Sequence, residues 1–149
     1  MIRAIVVSVA LVSGCASPAL KRIDYRTSGA LLGFERHITV APDGGIRSVA
    51  EINRNTNIAK YRRTEVREGR LRAPQVAELA SLLADWAYIR SDTTVVPDGE
   101  DVTICYGGRS VWNGTDPRFW EAARDLVGWA DALPMIQSTR GGDARVNGY

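Results

Sequence analysis

The chain has 149 residues, a formal net charge of +2, 45% hydrophobic residues, two cysteines and one histidine. That length supports one modest hydrophobic core and leaves little room for two independent domains. So few cysteines exclude a disulfide scaffold, a lone histidine excludes a histidine-cluster zinc site, and a near-balanced charge with poor aromatic interleaving excludes a dedicated nucleic-acid domain.

The N-terminus carries Arg3, an apolar run from Ile5 to Val12, and then Val12-Ser13-Gly14-Cys15. A positive end, a short apolar segment and small residues describe a secretory signal better than a spanning helix. The segment resembles the lipobox of bacterial lipoproteins. That resemblance implies a signal peptide over residues 1–14, cleavage before Cys15, lipidation of Cys15, and a lipidated tether over 15–22 that reaches the membrane through the N-terminal lipid. Ala16 stands where an inner-membrane retention signal has aspartate, which implies an outer-membrane lipoprotein facing the periplasm. With Cys15 carrying lipid, Cys105 has no intramolecular disulfide partner. Its setting in Asp101-Val102-Thr103-Ile104-Cys105-Tyr106 reads as a buried strand thiol.

Beyond the tether, Ile23-Asp24-Tyr25-Arg26 opens an alternating strand, and Phe34 to Val40 forms a second with Phe34, Ile38 and Val40 on one parity. Asp43-Gly44-Gly45 reverses the chain. Residues 46–52 and 58–67 read as a further hairpin joined by the polar Asn53 to Asn57. A helix is expected from Pro74 through Ala87, with Val76, Leu79, Leu83 and Trp86 in an apolar stripe broadened by Leu82. Pro97-Asp98-Gly99 precedes a strand centred on Val102, Ile104 and Tyr106. Gly107-Gly108 then connects to Arg109-Ser110-Val111-Trp112, and Asn113-Gly114 turns the chain once more. Asp116 caps a final helix with Pro117 in its first turn. Trp120, Ala123, Val127 and Ala130 form its packing stripe, broadened by Phe119, Leu126 and Leu133. Pro134 ends it, and residues 135–149 read as a flexible tail. The order predicts a single α+β domain over 23–134: a four- to six-stranded, mainly antiparallel sheet with two helices packed on one face.

Chemistry-bearing residues are sparse. His37 has the opposite parity to Ile38, which places it at the surface without a neighbouring acid or base. Asp98, Glu100 and Asp101 lack the spacing of a full calcium loop, and Gly107-Gly108 lacks the lysine and hydroxyl of a phosphate loop. Asn113-Gly114-Thr115 matches a glycosylation sequon only superficially. No catalytic residue, metal ligand or cofactor is assigned, and no nucleic-acid partner is expected. Charge is nevertheless divided: residues 47–72 hold eight basic and three acidic residues, whereas 85–131 hold four basic and nine acidic.

The run Arg26-Thr27-Ser28-Gly29-Ala30-Leu31-Leu32-Gly33-Phe34-Glu35-Arg36-His37-Ile38-Thr39-Val40, with Val76-Ala77-Glu78-Leu79, Leu82-Leu83, Val102-Thr103-Ile104 and the Trp-rich last helix, resembles the emfourin family. These are compact inhibitors of thermolysin-like zinc metalloproteases. The resemblance spans roughly residues 23–133 and implies a protein-binding, inhibitory module whose candidate contacts are Gly29, Leu31, Leu32, Gly33 and Arg36. The partner would then be an envelope or secreted protein of the zinc metalloprotease class. A non-inhibitory envelope scaffold is the alternative, with Lys60, Arg62, Arg63 and Arg67 as its basic contact surface. An envelope-associated enzyme is a further alternative, though no Ser-His-Asp or carboxylate pair has a local context for it.

Overall fold

The structure is a computed structural model that describes residues 19–29, 33–53, 61–94 and 99–140. Strands β1 (Ile23–Gly29) and β2 (Phe34–Val40) pair antiparallel, from Ile23 opposite Val40 to Gly29 opposite Phe34. Alternation decides their faces: Ile23, Tyr25 and Thr27 are buried on β1, and Ile38 and Val40 on β2. Gly44, at a φ of 86°, makes the following turn possible. There the Asp43 carboxylate accepts a hydrogen bond from Gly45 N at 3.0 Å.

Strand β3 (Gly45–Ile52) then pairs with β4 (Arg63–Arg70). The expected basic hairpin exists, but its second strand lies later than the predicted 58–67, and Asn53 closes the base by donating to Tyr61 O at 3.0 Å. Residues 54–60, including the predicted start of that strand, lie outside the described residues.

Helix α1 (Ala73–Leu82) begins with a proline in its first turn, and Gln75 Oε1 accepts from Arg72 N at 2.8 Å. It ends five residues before the predicted Ala87, and Trp86–Tyr88 form a separate 3-10 turn. The reason is a tie across to another strand. Trp86 Nε1 donates to Arg109 O at 2.9 Å, while the Arg109 guanidinium donates to Trp86 O and, at 2.6 Å, to Ile89 O. These bonds hold the segment beside the sheet and satisfy carbonyls that a continuing helix would have used internally.

Strand β5 (Glu100–Tyr106) inserts beside β1, antiparallel to it, and β6 (Arg109–Trp112) hairpins onto β5. Gly107 and Gly108, at φ of 58° and 83°, fill a two-residue turn that wants positive φ at both positions. Helix α2 (Pro117–Asp131) starts where expected, with the Asp116 carboxylate accepting from Arg118 N at 2.9 Å. Its buried stripe is Phe119, Ala122, Ala123, Leu126 and Ala130. Trp120, expected in the stripe, is instead 45% exposed and leans edge-on against Phe119 at 5.1 Å. The helix is rotated by one position from the predicted face.

Across the sheet the strands lie in the order β6-β5-β1-β2-β3-β4-β7, an antiparallel sheet of seven strands among the described residues. The added strand is β7 (Met135–Arg140), which pairs with β4 where the sequence suggested a flexible tail. All six of its residues are exposed, so it carries no buried stripe to announce it. The helices pack together, and residues of both join Ile23, Tyr25, Ile38, Val40, Ile46, Val102, Ile104 and Val111 in one core. Cys105, expected in that core, is half-buried on the opposite parity, opposite Asp24 in register. No helix among the described residues is long and apolar enough to cross a membrane.

Candidate functional site

The β1–β2 connection is built on the two central strands. Gly29 pairs with Phe34, so four residues, Ala30 to Gly33, join the strands. Gly33 is buried at a φ of 61°, a backbone that a side chain would strain. Leu31 and Leu32 lie outside the described residues, as do Cys15 and Lys60. Below the tip, Thr27 is buried and its Oγ1 donates to Glu100 Oε1 at 2.7 Å, which fixes β1 to β5 beside the connection.

Arg36 shares its parity with Ile38 and Val40, so it points toward the helices. Its Nη2 meets Asp131 Oδ1 at 3.0 Å and its guanidinium carbon lies 5.4 Å from the Phe34 ring centre. The side chain is only 15% exposed, and its Nε is buried without a hydrogen-bond partner. The sequence offered Arg36 as a contact for a partner, whereas its charge here binds β2 to the end of α2. This is a positioning role at the base of the tip.

Two residues of the alternative basic surface, Arg63 and Arg67, likewise have partners within the domain. Arg67 Nη1 donates to Asp131 O at 3.2 Å and to Leu133 O at 2.7 Å, satisfying carbonyls at the C-terminal end of α2. Arg63 pairs with Glu65 at 2.8 Å, and Arg47 with Glu68 at 2.7 Å. Arg62 is exposed. Glu65 and Glu68 belong to the same segment, so the charge excess of 47–72 remains, and Arg70 is paired with an acid from outside it, Asp43.

The sheet face away from the helices brings together groups that the sequence leaves apart. His37 Nε2 lies 3.4 Å from Asp24 Oδ1, in contact but without a satisfied hydrogen bond. Asp24 is also held by Arg22, whose Nε and Nη2 donate at 3.0 and 3.1 Å, and this guanidinium keeps the Asp24 carboxyl below the usual carboxylate range. The β1–β2 register alone makes the two neighbours, because Thr39 opposes Asp24 and His37 opposes Arg26. Reading the turn length correctly would have found the pair. Glu100 and Asp101, considered for a cation, diverge: Glu100 accepts from Thr27, and Asp101 accepts from Asn113 Nδ2 at 3.1 Å. No group of three or more His, Cys, Asp or Glu among the described residues is placed to hold a metal ion.

A groove of about 620 Å³ opens between Ala19-Leu20, Pro42, Leu71 and the Val76 and Ala80 side of α1. The Asp43–Arg70 ion pair, 2.9 Å long, stands at its rim. Ala19–Arg22 and the β1–β2 connection thus adjoin opposite ends of β1. The seven residues of that strand separate them by about 20 Å at the usual rise. Compared with protein-family models and with curated proteins, the chain matches none of either.

Proposed function

We propose that the protein is a lipid-anchored, non-enzymatic binding module of the bacterial envelope. Its β1–β2 tip is presented to an envelope or secreted zinc metalloprotease and obstructs the cleft without being cleaved. The observation that supports this most directly is the position of the tip at the far end of β1 from the tether. A domain held by Cys15 would carry Leu31 and Leu32 away from the lipid. The base of the tip is also firmly held, by the Gly33 backbone, the Thr27–Glu100 bond and the Arg36–Asp131 pair. A pre-set base lowers the ordering cost of association, which lets a short apolar loop bind usefully.

The test is titration of the full chain against a thermolysin-like zinc metalloprotease, following substrate turnover, direct binding and the integrity of the chain. Saturable inhibition without cleavage is expected, and Leu32→Asp weakens it by at least about tenfold, the loss typical of a central contact, with an unchanged melting temperature. Inhibition that survives Leu32→Asp removes the tip from the contact. Neither binding nor inhibition across a panel of such proteases removes the inhibitory role.

A further inference from the structure

The two edges of the sheet are finished differently. At β6, four residues long, the segment after the 3-10 turn lies across the strand. Ser91 bridges Gly114, Ser91 Oγ accepts from Trp112 N at 2.9 Å, and Asp92 N donates to Trp112 O at 3.1 Å. At the opposite edge, β7 presents six exposed residues, and no strand among the described residues pairs with its outer side. Edge strands are ordinarily blunted by charge, proline or cover, because their free amides and carbonyls template further pairing. A bulge at Ile136 interrupts the start of the strand, but Gln137-Ser138-Thr139 is regular and holds neither charge nor proline, and Met135 and Ile136 are 43% and 56% exposed.

Charge decides what fits there. Arg140 lies directly opposite Arg63, an unfavourable like-charge pair. Glu65, the acid two positions along β4, is already taken by Arg63 at 2.8 Å, and Arg140 has no ion-pair partner among the described residues. We propose that the outer edge of β7 is a docking strand for an extended segment of another protein whose acidic residue lies opposite Arg140. The segment runs antiparallel to β7, beginning at Arg140. Its next positions meet Thr139, Ser138 and Gln137, with Ser138 on the Arg140 side of the sheet and Thr139 and Gln137 on the other; past Gln137 the bulge at Ile136 turns Met135 to the face opposite Gln137. Main-chain hydrogen bonds supply affinity, and the acid at one end and the apolar contacts with Ile136 and Met135 at the other set direction and register. A second copy of the chain fits less well. Two-fold pairing about Gln137 sets each Arg140 against Pro134, where no acid meets it. The surface is separate from the β1–β2 tip and does not depend on protease inhibition.

The experiment follows β7 amide resonances in the full chain during titration with the acetylated peptide Glu-Thr-Ser-Thr-Ile-Val, and with its counterpart beginning in Lys. Saturable shifts confined to β7 and β4 are expected, with the Glu peptide preferred by at least about fivefold, the scale of one exposed charge contact. Arg140→Glu should reverse that preference, and its exposed position leaves the fold intact, as an unchanged melting curve would verify. An absence of shifts up to millimolar peptide overturns the proposal, as does a preference indifferent to Arg140→Glu. Sedimentation that finds a dimer broken by Ile136→Lys assigns the edge to a second copy and equally overturns it.

Discussion

Gly114→Ala tests the packing of α2 against the β6 side with little backbone confusion, since Gly114 does not lie at positive φ; its neighbour Asn113 does, at 42°. A Cβ on Gly114 would sit 2.5 Å from Phe119 Cγ, 2.7 Å from Cδ2 and 2.8 Å from Cβ. These atoms are the root of a side chain, not its flexible end. Phe119 has no exposed surface and is stacked on Trp86 at 6.2 Å, so the roughly 0.9 Å retreat needed to restore ordinary contact has nowhere to go without moving the indole. Overpacking of this kind costs about 1–3 kcal/mol, and expelling the ring would cost about 3–5 kcal/mol, so a loss near 3 kcal/mol is expected. At the sensitivity of a domain this size that is a fall of roughly 10 °C in Tm. Urea and thermal denaturation of the variant measure it. In a Phe119→Ala background the clash with the ring carbons is gone, and the same substitution should cost at least about 1 kcal/mol less. A loss below about 0.5 kcal/mol, or strict additivity in the double variant, would refute the assignment of Phe119 to this contact.

Three further outcomes are expected. Arg67→Met keeps much of the side chain's bulk but strips the α2 terminus of its donor, lowering stability by roughly 1–2 kcal/mol in urea denaturation; a change below about 0.5 kcal/mol would show that those carbonyls do not depend on it. Burial, and then the neighbouring Glu121, push the Asp125 carboxyl above its ordinary range, and its Oδ2 is buried without a partner. A raised folded-state value favours folding at pH below the ordinary carboxylate range and loses that contribution as pH rises through it. Asp125→Asn should therefore raise Tm at pH 7, with the gain shrinking as pH falls through the raised value and gone below the ordinary carboxylate range; a gain independent of pH would show that charge is not the cause. Trp86→Phe retains an aromatic ring but loses the bond to Arg109 O, and should cost about 1–3 kcal/mol with earlier proteolysis between residues 83 and 92.

The parts of the fold legible in the sequence were those with a buried face. Ile38 and Val40, Val102 and Ile104, and Leu79 with Leu83 each repeat at the period of their element, and all are buried. Asp116-Pro117 marked the start of α2 because capping and proline act locally. In α2 the expected packing face, Trp120, Ala123, Val127 and Ala130 broadened by Phe119, Leu126 and Leu133, was too wide: the core accepts the stripe through Phe119, Ala122, Ala123, Leu126 and Ala130 and leaves Trp120 half exposed. β7 was illegible because it buries nothing and owes its pairing to the edge of β4. Arg36 and Arg67 read as free charges, since neither the return of α2 across the sheet nor its exposed carbonyls can be seen in local sequence. The Asp24–His37 pair was hidden for a related reason: their separation along the chain becomes adjacency only through the β1–β2 register.

The place of β1 between β2 and β5 has a consequence for the order in which the domain is made. β2 follows β1 by a short turn, but β1's other neighbour is Glu100–Tyr106, and Ile23 must find Tyr106. Until that segment is synthesised, the middle of the eventual sheet is a raw margin, with one flank of β1 unsatisfied. Closing so long a loop is slow, and an incomplete margin invites the wrong neighbours. The meander β1 to β4 therefore cannot finish the domain early, and the cooperative step waits for about the first hundred residues. A chain built this way completes its central pairing only once most of it has been made.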